Sequence, residues 1–200
     1  MKPPGKASGK LRIIGGVWRG RGIAVPPEGV RPTSDRAREA VFNRLIHGFS
    51  EYGFRLPGAQ VADVFAGSGA MGLEALSRGA AAATFVERDT ATAALIKRNI
   101  GTLGAEDRAA VIGADATALP RAHKPCDLVL LDAPYEEHVT SAALASLARQ
   151  GWLKPNALIV AETGDGAPQP AADGFKMIDR RDYGRAVIWF LLFQPATASG

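Results

Sequence analysis

Short apolar runs alternate with stretches of helical periodicity between residues 60 and 161. Runs bounded by glycine, proline or acidic residues predict strands over residues 60–65, 82–86, 109–112, 127–131 and 157–161. Between them, apolar residues three and four positions apart predict helices over residues 70–78, 90–100 and 139–150. Strands that alternate with helices form a mostly parallel, doubly wound sheet with helices on both faces. The pattern therefore predicts an α/β fold.

The two ends of the chain depart from this alternation. Residues 175–181 and 183–193 predict two strands about the turn at Gly184, so the sheet should finish with an antiparallel C-terminal strand. Residues 11–25 predict a short hairpin, and a helix with an apolar stripe through Val41 and Leu45 follows it. We expect residues 1–50 to form a basic N-terminal hairpin and helix extension, residues 51–194 the main domain, and residues 195–200 a disordered tail.

Positive charge is concentrated in this extension. Residues 1–44 carry a net charge of +7 and the remaining residues carry −3, which together give the overall +4. A basic segment on a weakly acidic body predicts a polyanionic partner such as a nucleic acid. The candidate contacts are Arg12, Trp18, Arg19, Arg21, Arg31, Arg36 and Arg38. Two interpretations of Trp18 stay open: it stacks on a base or, as we favour for this residue alone, it packs against the main domain.

Composition excludes several other classes of protein. The chain is 46% apolar and 22% charged, which is typical of a soluble globular protein. No apolar run approaches the ~20 residues of a membrane span, and the N-terminus lacks the apolar core of a signal peptide. The single cysteine, Cys126, forms no internal disulfide and offers no zinc-ligand spacing. We expect a cytoplasmic monomer that has no metal site and does not bind a membrane.

The loop after the first main-domain strand has the residues of a nucleoside site. Gly67, Gly69 and Gly72 allow a sharp turn and a close approach of the backbone to a ligand, and the following helix directs its free N–H groups at that ligand. The same glycine spacing occurs in dinucleotide sites. However, Asp63 lies four residues before Gly67, and a carboxylate repels a pyrophosphate but attracts a cation. The loop therefore favours S-adenosylmethionine (SAM), which carries a sulfonium and an ammonium and no phosphate, over NAD.

Acidic residues also follow the later strands, at the edge where doubly wound sheets bind ligands. Glu87 is placed to accept hydrogen bonds from ribose hydroxyls, and Asp115 is placed to accept one from an adenine amine. Each acid is equally suited to cap a helix, but their repetition after successive strands favours a ligand site. The predicted cofactor contacts are Asp63, Phe65, Ala66, Gly67, Ser68, Gly69, Glu87, Arg88, Asp115 and Ala116.

The segment Asp132-Ala133-Pro134-Tyr135 has the chemistry for transfer to an amino group. The exocyclic amine of a base is a poor nucleophile because its lone pair is delocalised into the ring. An Asp132 carboxylate and an Ala133 carbonyl that each accept one N–H would aim that nitrogen at a methyl donor. Pro134 keeps Ala133 extended, and Tyr135 is suited to stack on the base. The alternative is a strand-to-helix turn in which Asp132 is a cap and Tyr135 a wall.

Several motifs together resemble those of a known family. They are Arg12-Ile-Ile-Gly-Gly-x-Trp-Arg-Gly20, Arg31-Pro-Thr-x-Asp-Arg-x-Arg-Glu39, the stretch 63–78 and the segment 132–135. This set resembles the bacterial 16S rRNA (guanine-N2) methyltransferase family over nearly the whole chain. The resemblance implies a Rossmann-like class I methyltransferase fold, with SAM as cofactor and 16S ribosomal RNA within a small-subunit particle as partner. It assigns Asp132 and Tyr135 to the target base, and Asp63, Gly67, Gly69, Glu87 and Asp115 to the cofactor.

The chain departs from the family pattern at Ala133, where the family has the first of two prolines. The carbonyl remains, but the loop gains an N–H and a free dihedral angle, so we expect slower turnover or a relaxed base preference rather than loss of activity. Two other functions compete with guanine methylation. One is methylation of another amino group, such as adenine N6 or a glutamine amide. The other is a non-catalytic RNA-binding module with a vestigial cofactor pocket.

Overall fold

Two sheets and four α-helices account for most of the chain that the structure, a computed structural model, describes: residues 10–26, 35–134 and 138–195. The strands are β1 Lys10–Arg12, β2 Gly22–Ala24, β3 Gln60–Val64, β4 Ala82–Val86, β5 Ala109–Ile112, β6 Cys126–Asp132, β7 Leu153–Gly164, β8 Phe175–Tyr183 and β9 Ala186–Phe193. The helices are α1 Asp35–His47, α2 Ala70–Ser77, α3 Thr90–Leu103 and α4 Val139–Arg149. None of the helices within these ranges has the length and apolar character needed to cross a bilayer.

The main sheet has seven strands in the order β5-β4-β3-β6-β7-β9-β8. Strands β3 to β7 are parallel, whereas β9 runs antiparallel to both β7 and β8. The chain leaves β3 for β4 on one side and later returns to β6 on the other, so the strand order switches between β3 and β6. The predicted doubly wound sheet with an antiparallel C-terminal strand is confirmed, and its ligand-binding edge lies at this switch point.

Apolar side chains fill both faces of the sheet. On one face Leu128 and Leu130 pack in a cluster with residues of α1, α2 and α3, and on the other face Val129 and Leu131 pack with residues of α4. Side chains alternate between the two faces along a strand, so a strand that is covered on both sides must be apolar throughout. This burial explains why the strands appear in the sequence as continuous apolar runs.

Several element boundaries differ from those predicted, and three of these differences have a clear local cause. Strand β3 ends at Val64 because Phe65 adopts a positive φ of 60°, which takes the chain out of the extended conformation. Strand β7 extends from Leu153 to Gly164, well beyond the predicted residues 157–161, because β6 and β9 provide backbone partners along it. Helix α3 continues to Leu103 and ends at Gly104, whose φ is 69°. Residues 196–200 of the predicted tail lie outside the described residues.

The N-terminal extension shares the apolar cluster of the α1, α2 and α3 face. Strands β1 and β2 pair antiparallel as predicted, and Ile13, Trp18 and Ile23 are buried in that cluster together with residues of α1 and α2. Gly16 approaches helix α2 so closely that a Cβ atom there would lie 1.9 Å from the carbonyl oxygen of Ser77. The hairpin is therefore seated on the main domain through a contact that only glycine permits.

Polar groups of α2 hold the extension in place. The buried carboxylate of Glu74 accepts hydrogen bonds from the backbone N–H groups of Ile14 and Gly15, both at 2.8 Å, and from Nε of Arg78 at 2.6 Å. The hydroxyl of Ser77 accepts from the N–H of Trp18 at 2.9 Å and donates to the Gly15 carbonyl at 2.6 Å. These bonds fix the position of the basic segment relative to the glycine loop that precedes α2.

Replacing Glu74 by Gln should lower the free energy of unfolding by about 3 kcal/mol, because Arg78 loses its buried charged partner and one backbone N–H loses its acceptor. Urea unfolding followed by circular dichroism measures this change. Glu51→Gln, at an exposed position, is the matched control and should change the free energy by less than about 0.5 kcal/mol. Equal stability of the two variants would contradict the role given to Glu74.

Candidate active site

The glycine loop after β3 makes the sharp turn that the sequence predicts for a ligand-binding site. Gly67 and Gly69 have φ values of 54° and 77°, and Gly69 directly precedes helix α2. A Cβ atom on Gly72 would lie 2.4 Å from the ring of Phe85, so this position also requires glycine. Phe65 is the residue at φ 60°, a conformation that residues with a side chain seldom adopt and that concentrates at functional sites.

Asp63 lies beneath this loop and is almost completely buried, with 4% of its surface exposed. Its carboxylate accepts a hydrogen bond from the N–H of Gly72 at 2.8 Å and thereby ties β3 to the first turn of α2. Burial raises the pKa of Asp63 to about 8; the Gly72 hydrogen bond opposes this shift, and the charges of Asp132 and Glu87 add to it. A cation bound nearby would restore the ionised form of this carboxyl group.

Glu87 closes the glycine loop onto the end of β4. Its carboxylate accepts from the N–H of Gly67 at 3.1 Å and from the N–H of Asp89 at 2.9 Å. Asp115 accepts from the N–H and the hydroxyl of Thr117 at 2.8 and 2.7 Å, so it caps the short turn Ala116–Ala118, and these bonds lower its pKa. Capping, the alternative role for a strand-end acid, is thus observed at Asp115. Contact of either acid with a cofactor stays a prediction.

The remaining predicted cofactor residues surround the same loop. Phe65 is half-buried, Arg88 is exposed, and the others in this set are buried: Ala66, Ser68 and Ala116. The N–H of Ala66 donates to the carbonyl of Val86 at 3.1 Å, which holds the start of the loop against β4. The structure therefore brings the residues on β3, its loop and the end of β4 together, while Asp115 and Ala116 follow β5 at the outer edge of the sheet.

Asn99 is a residue of this site that the sequence interpretation missed. Its buried side-chain amide donates to the Ser68 carbonyl and to the Ala24 carbonyl, both at 2.9 Å, and accepts from the N–H of Ala24 at the same distance. One side chain of α3 thus connects the glycine loop with strand β2 of the extension. The available signal was an asparagine inside the apolar stripe of α3, between Ile96 and Leu103.

Asp132 ends β6 and begins the segment predicted to hold the target base. Burial, and then the charge of Glu162, raise the pKa of Asp132 to about 7. Ala133 and Pro134 line a cleft of about 370 Å³ together with the first turn of α4 and residues 162–168. The cleft is large enough for a single base, and Ala133, the residue that follows Asp132, lines it. Tyr135 lies outside the described residues, so its predicted stacking role stays a prediction.

The comparisons with known proteins match nearly the whole chain. Residues 11–192 match the model of the family described as conserved hypothetical protein 95. The chain belongs to this family. Ribosomal RNA small subunit methyltransferase D of Escherichia coli K12 is 41% identical over 81% of this chain and 79% of its own length. The protein with the same name in Haemophilus influenzae is 36% identical over 94% of this chain and 95% of its own length.

Solved structures of two methyltransferases have a similar fold. The methyltransferase yhhF of Escherichia coli superposes with a TM-score of 0.78 at 34% identity, covering 94% of this chain and 99% of that structure. The methylase HI0767 of Haemophilus influenzae superposes with a TM-score of 0.74 at 32% identity, covering 93% and 99%. The predicted class I methyltransferase fold and the predicted resemblance to ribosomal RNA methyltransferases are confirmed.

The extension of this family member exposes only part of the predicted arginine set. Arg12, Arg19 and Arg36 are exposed. Arg21 is also exposed, but its guanidinium donates to the backbone carbonyls of Thr102 and Leu103 at the end of α3. Arg31 lies outside the described residues. The exposed side chains of Arg12, Arg19 and Arg36 form what we call the basic face.

Trp18 and Arg38 do not have the positions that nucleic-acid contact requires. Trp18 is only 8% exposed and packs in the core beneath the guanidinium of Arg108, so it is the packing interpretation that is confirmed and the base-stacking one that is wrong. Arg38 is 1% exposed; it donates to the carbonyl of Arg12 at 2.7 Å and forms an ion pair with Asp35 at 2.8 Å. The prediction that Arg38 contacts nucleic acid is wrong because its side chain lies on the buried face of α1 and supports the hairpin.

Metal chemistry was not predicted from the sequence. Among residues 10–26, 35–134 and 138–195, His, Cys, Asp and Glu side chains form no group of three that is suited to a metal ion. Cys126 is a buried free thiol at the start of β6, at the opposite end of that strand from Asp132, and burial raises its pKa to about 12. A thiol with so high a pKa is an inert packing residue.

Proposed function

We propose that this protein transfers a methyl group from SAM to the exocyclic N2 of a guanine in 16S ribosomal RNA. The observation that carries the proposal is the buried Asp63 carboxyl beneath the glycine loop, at the switch point of the sheet and electrostatically coupled to Asp132. It supports a cationic nucleoside ligand in contact with a segment suited to a base amine. The names of the relatives support ribosomal RNA of the small subunit as the substrate.

The residues at the switch point fit SAM. The glycine loop permits close approach of a nucleoside, while Asp63 in its ionised form and Glu87 would supply negative charge opposite a sulfonium and an ammonium. When bound, SAM supplies an electrophilic methyl group. Asp63 and the loop would hold the amino-acid part, and Glu87 and Asp115 would accept hydrogen bonds from ribose and adenine. A pyrophosphate at this position would face the same carboxylates and be repelled.

Asp132 and Ala133 would orient the acceptor. The Asp132 carboxylate accepts one N–H of the guanine amine and the Ala133 carbonyl accepts the other, which localises the nitrogen lone pair and aims it along the methyl-transfer direction. As the N–C bond forms and the methyl–sulfur bond of SAM breaks, with its electron pair kept by sulfur, the nitrogen would become positively charged and the nearby carboxylate would stabilise that charge. The extra proton then leaves through Asp132 or water. Tyr135 is proposed to stack on the base, which must be unpaired or flipped to enter the cleft.

SAM affinity should rise as the pH increases from 6 to 8. Because the pKa of Asp63 in the free protein is about 8, the carboxyl is mostly protonated below that pH and must lose its proton to attract a cation. This linkage gives an affinity gain of up to about tenfold per pH unit, which levels off above pH 8. Titration calorimetry at several pH values measures it. Asp63→Asn should bind SAM more weakly and without this pH dependence, and an unchanged profile in that variant would contradict the assignment.

Labelled methyl transfer tests the proposed reaction. The purified protein, SAM with a labelled methyl group and small-subunit particles lacking the modification should give label in N2-methylguanosine after digestion to nucleosides. Label in N6-methyladenosine or in protein would identify a methyltransferase for another amino group, and RNA binding without transfer would identify a non-catalytic module. In the same preparation SAM, and not NAD, should raise the melting temperature. We further propose that the protein acts as a monomer, in the cytoplasm and on an assembled particle.

A further inference from the structure

Glu162 lies beside the proposed acceptor segment on the neighbouring strand. Asp132 on β6 and Glu162 on β7 are direct partners in the parallel ladder, and Glu162 lines the same cleft as Ala133 and Pro134. The residue lies outside the motifs 63–78 and 132–135 and has no part in the proposed methyl transfer. Like Asp63 on β3 and Asp132 on β6, Glu162 is an acid near the carboxyl end of its strand.

The ladder places the carboxyl groups of these strands on one face of the sheet. Asp63 is in register with Leu130, and Leu130 is in register with Val160. Residues two positions apart on a strand share a face, so Asp63, Asp132 and Glu162 point to the same side. The electrostatic effect of Glu162 on Asp132 agrees with two carboxyl groups in close proximity. Two adjacent carboxylates form a surface that accepts hydrogen bonds and offers no donor while ionised.

Among the standard RNA bases, guanine is the one that presents two adjacent hydrogen-bond donors, an N1–H and an exocyclic amine at C2, to such a surface. Its N1–H and its N2 amino group point in the same direction, whereas adenine presents an amine next to N1, which is an acceptor. A carboxylate opposite N1 therefore gains a hydrogen bond with guanine and meets a lone pair with adenine. The resulting preference for guanine over adenine is large, because an acceptor placed opposite a donor is left unpaired when the donor is missing.

We propose that Glu162 is a specificity-determining residue that accepts a hydrogen bond from the N1–H of the target guanine while Asp132 and Ala133 accept from its N2 amine. This inference rests on the proposed function. In this arrangement Asp132 contacts the reacting nitrogen, N2, and Glu162 contacts N1, whose hydrogen distinguishes guanine from adenine. The alanine at position 133 is compatible with this arrangement because only its carbonyl is used.

A base analogue isolates the N1–H contact. 2-Aminopurine keeps the amine at C2 but has a bare acceptor at N1, so it presents the reacting group without the group that Glu162 would read. Small-subunit particles reassembled with 2-aminopurine at the mapped target position are compared with particles that carry guanine there. The wild-type protein should methylate the guanine particle with a kcat/KM at least about 100-fold higher. Glu162→Gln should reduce this ratio below about tenfold, because a glutamine amide can donate to a bare N1.

Glu162→Asp is the matched control, since it keeps the charge and should keep the preference for guanine while lowering the rate. SAM affinity and melting temperature should be unchanged in the Gln variant, which separates altered specificity from misfolding. Equal wild-type rates on the two particles, or an undiminished ratio in Glu162→Gln, would overturn the role of Glu162. Neither result would contradict the proposed reaction if guanine N2 is still methylated. If the wild-type protein methylates no guanine, the proposed function itself fails.

Discussion

Replacing Asp132 by Asn is expected to lower kcat for methyl transfer about 1,000-fold and to leave SAM and RNA affinities within about twofold of wild type. Asparagine keeps the size of the side chain and one acceptor oxygen, but it loses the negative charge that stabilises the amine as it becomes positive. Single-turnover transfer from labelled SAM, with binding measured separately, divides the chemical step from the binding steps. Asp127→Asn, at the opposite end of β6 beside Lys154, is the matched control and should keep near-normal kcat.

The pH dependence of kcat/KM for the same reaction is a second test of the role of Asp132. Burial and Glu162 raise the pKa of Asp132 to about 7, so only part of the free protein has an ionised carboxylate at neutral pH. The kcat/KM of the wild type should therefore increase up to about pH 7 and then level off, after allowance for the Asp63 contribution measured by SAM binding. Asp132→Asn should lose that increase. A near-normal rate in this variant would show that Asp132 is only the cap of a strand-to-helix turn.

Neutralising the basic face is expected to weaken RNA binding about 100-fold at 0.1 M salt. Replacing Arg12, Arg19 and Arg36 together by Gln removes three exposed cations, each of which contributes about 0.7 to the slope of log affinity against log salt for single-stranded RNA. The slope should thus become shallower by about 2, while SAM affinity stays unchanged. Filter binding of a small-subunit RNA fragment over a salt series gives both quantities.

A matched control removes the same charge elsewhere. Arg121, Lys124 and Arg149 are also exposed, and they lie near the amino end of β6 and at the end of α4, away from the hairpin. Their replacement by Gln should change the slope by less than about 0.5. Equal losses of RNA affinity in the two triple variants would mean that RNA binding depends on net charge alone. They would contradict a specific role of the basic face. Arg38 is unsuited to this test because it supports the hairpin.

Local patterns in the sequence were sufficient for the fold and for the residues at the strand ends. Apolar runs and glycines reveal β3 and its loop, and the acids after successive strands reveal Asp63, Glu87 and Asp132, because the topology of a doubly wound sheet brings strand ends together. These inferences need only periodicity along the chain and the rule that parallel strands end at one edge. The positions of Asp63 and Asp132 follow directly from that rule.

Contacts between segments that are distant in sequence could not be predicted from such local patterns. Arg38 looks like a surface cation from its charge, yet it shares a helical face with Phe42 and Leu45 and is buried by the hairpin. Asn99 looks like a solvated helix residue until strand β2 and the glycine loop are placed beside it. Each of these side chains is buried by a partner 26 or more residues away, and periodicity contains no information about such a partner.

Mass mapping of ribosomal RNA is the decisive test of whether this protein methylates guanine N2. Small-subunit RNA is isolated from cells that lack this protein and from the same cells supplied with the wild type or with Asp132→Asn. If Asp63 faces the cationic methyl donor and Asp132 faces the guanine amine, one N2-methylguanosine should be absent without the protein, restored by the wild type and not restored by the variant. Identical methylation maps in all three samples, or a restored methyl group on any other atom, would contradict it.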